Sequence, residues 1–259
     1  MCLYKKQKNF ALYHGDCLEE LKRFPENYFD MIFADPPYFL SSGSFSCQNG
    51  KMVSVKKGDW DLSNGFQKDF NFHLDWIKEC RRVLKPHGTI WISGTYHSIY
   101  QCGFILQNTK YHILNDISWF KPNAAPNLSC RFFTASHETL IWARKEKKAK
   151  HTFNYQDIKN GDWSEDEFKK PYLQMRSVWS MGTPKKEEKQ FGKHPTQKPL
   201  DLLKRIILSS TKEGDIILDP FAGSSTTGVA ANLYKRKFVG IDSDKNYLDL
   251  SLQRLNALA

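Results

Sequence analysis

Residues 29–38 read FDMIFADPPY and residues 214–223 read GDIILDPFAG. In each segment an apolar run ends at an aspartate followed by proline, which is typical of a buried strand stopped by a residue with no N–H to donate. In an open α/β sheet, ligands bind beyond the carboxyl ends of the strands, at the topological switch point. We therefore expect Asp35 and Asp219 to face one crevice.

Along the rest of the chain, short β-branched or aromatic runs alternate with amphipathic stretches, which predicts the α/β class, with a parallel sheet flanked by helices. Residues 111–119 and 138–143 have no long helical pattern between them, so we expect an antiparallel hairpin at one sheet edge. Strands are predicted at residues 10–13, 29–34, 89–93, 111–119, 138–143, 216–218 and 237–241. Helices are predicted at residues 17–23, 70–84, 96–107, 199–209, 227–232 and 245–256.

The segment after Asp219, FAGSSTTGVA at residues 221–230, is a turn of small residues that opens a helix. Such a turn lets a ligand approach the backbone closely and directs free helix N–H groups at it. A P-loop would need Lys after Gly228, and the dinucleotide fingerprint would need Gly at Ser225, so a kinase, an ATPase and a dehydrogenase are disfavoured. Asp242, after another predicted strand, can accept hydrogen bonds from both hydroxyls of a ribose. The pattern predicts a nucleoside pocket without a phosphate grip, which suits S-adenosylmethionine; small residues kept only for packing are the alternative.

The formal net charge of +10 favours a polyanionic partner, and half of it lies in residues 144–193, which hold 13 basic and 8 acidic side chains. Aromatic residues are interleaved there, as in a nucleic-acid surface; a solvated lysine-rich insertion is the alternative. Residues 39–69 also lack periodicity, so we expect a flexible loop near Asp35. The candidate DNA-contacting residues are Lys145, Lys147, Lys148, Lys185, Lys186 and Lys189.

Several classes of protein are disfavoured by what the chain does not contain. The six cysteines have no paired spacing and the histidines have no metal-ligand spacing, so neither a disulfide framework nor a metal site is expected. The first ten residues have no apolar segment of a signal peptide, and no run approaches the roughly 18 apolar residues of a membrane span. We expect a soluble cytoplasmic protein.

Four motifs together resemble those of amino-group DNA methyltransferases. DPPY at residues 35–38 and DPFAGS at residues 219–224 resemble the catalytic and cofactor motifs of that family. HPTQKP at residues 194–199 resembles a segment that packs beside the cofactor, and LYHGDCL at residues 12–18 resembles the strand that ends in Gly-Asp at the cofactor's adenine. The catalytic motif precedes the cofactor motif, with the basic stretch between them. This order resembles the β-class of bacterial type II restriction-modification methyltransferases, and the length and local residues look closest to small adenine enzymes of the MboII type.

The resemblance implies a doubly wound, mixed seven-stranded, Rossmann-like sheet in one domain, residues 1–259, with a DNA target-recognition region inserted at residues 144–193. It implies transfer of a methyl group from S-adenosylmethionine to N6 of a flipped adenine, with Asp35 and the Pro36 carbonyl each accepting one N6 hydrogen. The implied catalytic residues are Asp35, Pro36, Pro37 and Tyr38, the last as a stacking face for the base. The implied cofactor-binding residues are Asp16, Cys17, Asp35, His194, Thr196, Lys198, Asp219, Pro220, Phe221, Gly223, Ser224, Ser225, Thr226 and Asp242.

The implied partners are DNA with a specific recognition sequence and a restriction endonuclease that acts on the same sequence; a homodimer is a further possibility. Cytosine-N4 methylation is the nearest rival activity, and Asp rather than Ser at position 35 favours adenine. An RNA or protein-glutamine methyltransferase would resemble NPPY with the cofactor motif first. Covalent cytosine-C5 methylation lacks a Pro-Cys nucleophile. A non-catalytic DNA-binding regulator is the alternative from another class of protein. It would need the basic stretch, but it would not need Asp35 beside an intact cofactor pocket.

Overall fold

The computed structural model describes residues 2–43, 45–48, 51–55, 57–163, 166, 170 and 172–258. Within this part of the chain, nine strands form one mixed sheet in the order β1-β2-β11-β10-β3-β6-β8-β7-β9, and β4 and β5 form a separate hairpin. The strands are β1 (Leu3–Lys6), β2 (Phe10–His14), β3 (Phe29–Ala34), β4 (Phe45–Gln48), β5 (Lys51–Ser54), β6 (Leu84–Gly94), β7 (His112–Phe120), β8 (His137–Arg144), β9 (Val178–Ser180), β10 (Ile216–Asp219) and β11 (Lys237–Asp242).

The α/β class is confirmed, and the sheet contains the seven predicted strands with one added at each edge, β1 and β9. Strands β2, β11, β10, β3 and β6 are parallel, whereas β8 runs antiparallel to both β6 and β7, as their short connection predicted. The β7–β8 pair is not at the sheet edge, because β9 pairs in parallel with β7. β9 is only three residues long, which is too short to leave a clear alternation in the sequence.

Seven helices lie in the described residues: α1 (Cys17–Lys22), α2 (Phe66–Val83), α3 (Ile99–Asn108), α4 (Tyr155–Asn160), α5 (Leu200–Ser210), α6 (Thr226–Leu233) and α7 (Lys245–Asn256). The segment expected to be a loop, residues 39–69, contains β4, β5, the 3-10 turn Asp59–Asp61 and the start of α2. The basic stretch, residues 144–193, contains α4 and β9. Its role in target recognition and the flexibility of residues 39–69 stay predictions. No helix in the described part combines the length and the apolar character needed to cross a bilayer.

The core lies on both faces of the sheet, since alternate residues of a strand point to opposite sides. Met31 and Phe33 of β3 pack with α5, α6 and α7, whereas Ile32 and Ala34 pack with α1, α2 and α3. Trp91 of β6 and Trp142 of β8 stack on the first face, with ring centroids 5.0 Å apart. The sheet is therefore doubly wound, as the resemblance implied.

The direction of the winding changes between β3 and β10. These neighbours pair in parallel, but the chain leaves β3 through α2 toward β6 and leaves β10 through α6 toward β11, on opposite sides. The two connections diverge at the carboxyl ends of β3 and β10, and a crevice opens there. Asp35 and Asp219 stand at these two strand ends, so the expected crevice is where the sequence placed it.

A buried ion pair links Asp166, within the basic stretch, to α5. The guanidinium of Arg205 lies 2.8 Å from Asp166 Oδ2, and neither side chain is more than 4% exposed. The same guanidinium packs over the rings of Trp163 and Trp179, at 4.3 and 4.9 Å. Asp166 also accepts a hydrogen bond from the Ser180 N–H, at 2.9 Å. The ion pair thus connects the basic stretch to the sheet through β9.

Asp166→Ala should lower the free energy of unfolding by about 3–5 kcal/mol, because it removes one partner of a buried ion pair. Asp201→Ala is the matched control, since that carboxylate is half exposed and pairs with Lys185 and Lys204. The control should cost about 1 kcal/mol or less. Urea unfolding of both variants measures the difference, and equal costs would contradict the role given to Asp166.

Candidate active site

The crevice is a cavity of about 630 Å³, within the size range of small-ligand sites. It is lined by residues that follow the carboxyl ends of β2, β3, β10 and β11 and by the segment before α5. The structure brings together all but one of the predicted catalytic and cofactor residues there: Asp16, Cys17, Asp35, Pro36, Pro37, Tyr38, His194, Thr196, Lys198, Asp219, Pro220, Phe221, Gly223, Ser224, Thr226 and Asp242.

Ser225 is the exception. It is fully buried with φ of 51°, immediately before α6, and it does not line the cavity. The lining of the cavity thus gives no support to a contact between Ser225 and a cofactor, and that contact stays a prediction. The small-residue pattern could not reveal the position of Ser225, because it does not encode the φ angle of each residue in the turn.

Asp35 lies at the centre of a buried polar cluster. Its Oδ2 is 2.5 Å from the ammonium of Lys198, and its Oδ1 accepts a hydrogen bond of 2.6 Å from the Tyr38 hydroxyl. The Tyr38 hydroxyl also contacts Ser93 Oγ at 3.0 Å. Burial raises the pKa of Asp35, and the Lys198 ammonium opposes that rise. The Tyr38 ring is 8% exposed. The contacts of the Tyr38 hydroxyl with Asp35 and Ser93 are more than a role as a stacking face would require.

Glu138 belongs to this cluster and was not predicted from the sequence. Its Oε2 lies 3.1 Å from the Tyr38 hydroxyl oxygen and 3.6 Å from Lys198 Nζ, and its Oε1 pairs with Lys121. Burial would raise the pKa of Glu138, but the ammonium groups of Lys198 and Lys121 outweigh it and hold the pKa at about 2. Glu138 is the second residue of β8, and an antiparallel strand brings its first residues, not its last, to this edge of the sheet. A search for aspartates at strand ends followed by proline does not find such a residue.

Asp61 holds the backbone that follows the DPPY motif. Its Oδ1 accepts hydrogen bonds from the N–H groups of Tyr38 and Phe39, at 3.1 and 2.8 Å, and its Oδ2 accepts from those of Leu40 and Ser41, at 3.2 and 3.0 Å. The side chain is 2% exposed. One carboxylate therefore shapes the turn beside Asp35. Asp61 lies in the stretch without periodicity, and no sequence signal singled it out.

The small-residue turn after β10 is held by two carboxylates. Asp219 accepts hydrogen bonds from the Phe221 N–H at 3.0 Å and the Thr227 hydroxyl at 2.6 Å, and Asp242 accepts from the Gly223 N–H at 2.7 Å. Burial raises the pKa of Asp219 to about 7 and that of Asp242 to about 6. These aspartates line the cavity and also order the turn, so each of them can both stabilise the turn and contact a ligand.

His194 lines the cavity beside this turn. Its ring stacks on Trp60 with centroids 6.4 Å apart and meets the edge of Tyr247 at 4.2 Å. A Cβ added at Gly223, where φ is 50°, would come within 3.0 Å of the His194 ring. Burial lowers the pKa of His194 to about 4, so the ring is neutral at pH 7. Asp16 lies nearby at the start of α1, where its side chain accepts from the N–H groups of Leu18 and Glu19.

The six candidate lysines fall into two groups, which we call the cleft lysines (Lys185, Lys186 and Lys189) and the far-edge lysines (Lys145, Lys147 and Lys148). Lys189 lines the cavity, together with Thr183 and Pro184. The far-edge lysines follow the end of β8, which pairs with the start of β6 at the amino ends of the parallel strands. Lys145 Nζ donates to the Leu84 carbonyl at 2.6 Å. The structure does not bring the far-edge lysines to the crevice, because β8 runs opposite to its neighbours.

Asp61→Ala should speed hydrogen exchange of the four amides at residues 38–41 by about tenfold or more, since each loses a charged acceptor, at about 1–3 kcal/mol. Asp59→Ala, an exposed aspartate two residues away, is the matched control and should leave these amides unchanged. Hydrogen-exchange mass spectrometry resolves the segment. Unchanged exchange in the Asp61 variant would show that other contacts hold this turn.

Comparison with known proteins agrees with this arrangement. The family model N6_N4_Mtase, described as DNA methylase, matches residues 29–253. The type II methyltransferase M2.LlaDCHI of Lactococcus lactis subsp. cremoris is 52% identical over 254 residues, which cover 98% of this chain and 91% of that protein. M2.DpnII of Streptococcus pneumoniae, also a type II methyltransferase, is 50% identical over 255 residues, 98% of this chain and 92% of that protein. A crystal structure of an M1.HpyAVI–SAM complex superposes with a TM-score of 0.68 at 29% identity, covering 95% of this chain and 99% of the other. This chain therefore belongs to the N6_N4_Mtase family of DNA methylases.

Proposed function

We propose that this chain transfers a methyl group from S-adenosylmethionine to the N6 amino group of an adenine at a specific sequence in DNA. The observation that carries the proposal is the buried Asp35 carboxylate, held by Lys198 and Tyr38 at the switch-point crevice beside Pro36. An ionised carboxylate has about four lone-pair sites, and these two partners use two of them. Asp35 therefore keeps acceptor capacity for an incoming amino group.

The residues of the crevice suit a nucleoside cofactor. Gly223 lets the turn approach the His194 ring closely, since a Cβ there would come within 3.0 Å of the ring, and Asp242 offers carboxylate oxygens to ribose hydroxyls. Asp16, Asp219 and the turn after β10 form the walls of the same cavity. When bound, S-adenosylmethionine supplies a methyl group carried on positively charged sulfur.

Asp35 and the Pro36 carbonyl prepare the target amine. The N6 lone pair of adenine is delocalised into the ring and is a poor nucleophile. Two acceptors, one for each N6 hydrogen, localise that lone pair and direct it at the methyl group. As the N–C bond forms, the electron pair of the breaking C–S bond stays on sulfur, and the positive charge that develops on N6 strengthens both hydrogen bonds. The raised pKa of Asp35 suits a carboxylate that then accepts the N6 proton.

Asp35→Ala should lower the single-turnover rate of methyl transfer about a hundredfold or more, the usual effect of removing one preorganised transition-state partner. Asp35→Asn should also fail, because it replaces the charge with a weaker acceptor. Both variants should fold and bind cofactor. Transfer of labelled methyl groups to DNA measures the rate, and near wild-type transfer by Asp35→Ala would remove Asp35 from the mechanism.

Asp242→Asn should weaken S-adenosylmethionine binding by about tenfold or more, since a hydrogen bond to a charged group contributes about 1.5–3 kcal/mol. Because burial raises the pKa of Asp242 to about 6, wild-type affinity should fall as the pH is lowered through 6 and the carboxylate becomes protonated. The variant should lose that part of the pH dependence. Asp249→Asn, on the exposed side of α7, is the control for calorimetry. Wild-type affinity in the Asp242 variant would place the ribose elsewhere.

Replacing the three cleft lysines by alanine should weaken DNA binding and lower the slope of log affinity against log salt by roughly one for each phosphate that the variant no longer binds. The same replacement of the three far-edge lysines removes equal charge at the opposite edge of the sheet, and it is the matched control. Fluorescence anisotropy at several salt concentrations compares the two variants. An equal change of slope in both would mean that net charge, and not position, accounts for the effect.

Cytosine-N4 methylation remains the second candidate, since the same acceptor geometry fits another exocyclic amine. Digestion of methylated DNA to nucleosides, with mass spectrometry of the products, separates the two. N6-methyladenine supports the proposal, and N4-methylcytosine overturns the choice of base.

We also propose that the enzyme acts in the cytoplasm, where it modifies cellular DNA, and that a restriction endonuclease recognises the same sequence. DNA from cells that express the chain should resist that endonuclease, whereas DNA from cells that express the Asp35→Ala variant should be cut. A homodimer is a further proposal that rests on the resemblance alone. Sedimentation of the purified protein tests it.

A further inference from the structure

The loop between β7 and β8, residues 121–136, rises from the catalytic cluster. At its base, the Lys121 N–H donates to the Ser136 carbonyl at 2.7 Å, and Lys121 pairs with Glu138. Both Lys121 and Glu138 line the crevice. The position of the loop is therefore tied to that of the active site.

The tip of this loop is ordered by one side chain. Asn127 Nδ2 donates to the Phe132 carbonyl at 2.7 Å, and Asn127 Oδ1 accepts from the Ser129 N–H and hydroxyl at 3.0 and 2.8 Å. The Asn127 N–H also donates to the Thr134 hydroxyl at 3.3 Å. These contacts give the tip a defined shape while its apolar side chains point outward.

Two adjacent aromatic side chains project from the tip. Phe133 is 96% exposed, more than any other large hydrophobic side chain in the described residues, and Phe132 is 67% exposed. Arg131 beside them is also exposed. Exposing two phenylalanines forgoes about 1.5–3 kcal/mol of burial for each ring, which points to a partner that covers them.

We propose that Phe132 and Phe133 enter the DNA duplex at the target site and fill the space left by the flipped adenine, while Arg131 binds a flanking phosphate. The inference rests on the proposed function, because a base that must reach Asp35 cannot stay in the helix. Apolar side chains inserted between base steps are a known way to unstack DNA. The loop is placed for this role, since its base is part of the cluster that receives the adenine.

The charge of the loop favours DNA over a second copy of this chain. Residues 121–136 contain Lys121 and Arg131 and no acidic residue. Such a segment complements phosphates, whereas this chain, with a net charge of +10, would repel it on average.

The test compares Phe133→Ala with Phe104→Ala, which removes an exposed aromatic side chain from α3, away from the loop. Each protein methylates two duplexes that carry the recognition sequence, found beforehand by mapping methylated bases in cellular DNA. In one duplex the target adenine is paired with thymine, and in the other it faces an abasic site, so that flipping is easier.

Phe133→Ala should be slower by about tenfold or more on the paired duplex and close to wild type on the abasic duplex, because the ring offsets unstacking. Phe133→Trp should keep the wild-type rate on both, and the Phe104 variant should match wild type.

Four results would overturn the inference. The first is a wild-type rate for Phe133→Ala on paired DNA, and the second is an equal loss of rate on both duplexes, which would mean that the loop supports the active site itself. The third is a similar loss of rate in the Phe104 variant. The fourth is a change in the sedimentation of the free Phe133 variant, which would make the tip of the loop a contact between copies of the chain. If wild type methylates neither duplex, the proposed function fails and the inference fails with it. Thermal unfolding and calorimetric cofactor binding confirm that each variant is folded.

Discussion

The buried contact of Lys198 with Asp35 is the interaction on which the site depends. Two carboxylates, Asp35 and Glu138, lie within 4 Å of the same ammonium, which opposes the rise in pKa that burial causes at each of them. The ammonium groups of Lys198 and Lys121 outweigh burial at Glu138 and keep its pKa at about 2. The charge state of the catalytic centre is thus set by side chains from three distant segments.

This electrostatic constraint connects the two halves of the fold. Asp35 follows β3, Glu138 is near the start of β8, and Lys198 precedes α5, so the cluster forms only when the sheet and the helix that covers it are both in place. Lys121 joins the cluster from β7 and the loop beyond it. The polar cluster, the cavity walls and the β7–β8 loop therefore share the residues Lys121 and Glu138 at their base.

The sequence predicted those site residues whose position follows from local pattern. Asp35, Asp219 and Asp242 were found because each follows an apolar strand, and parallel strands bring their carboxyl ends to one edge. The sequence did not predict Glu138, because its strand is antiparallel. It did not predict Asp61 either, because that side chain binds backbone N–H groups 20 to 23 residues away in the chain. Ser225 does not line the cavity, and its left-handed backbone is not specified by the small-residue composition of the turn.

By itself, the sequence determined the α/β class, the positions of the seven central strands along the chain, the crevice at the two Asp-Pro strand ends and the family motifs, because these depend on periodicity and on residues close together in the chain. Only the tertiary structure decided which charges meet. It separated the far-edge lysines from the cleft lysines by reversing β8, and it added β1 and β9 at the sheet edges. It also joined Lys198 to Asp35 across 163 residues. Ion pairs of this kind are set by three-dimensional proximity and burial, which no local pattern records.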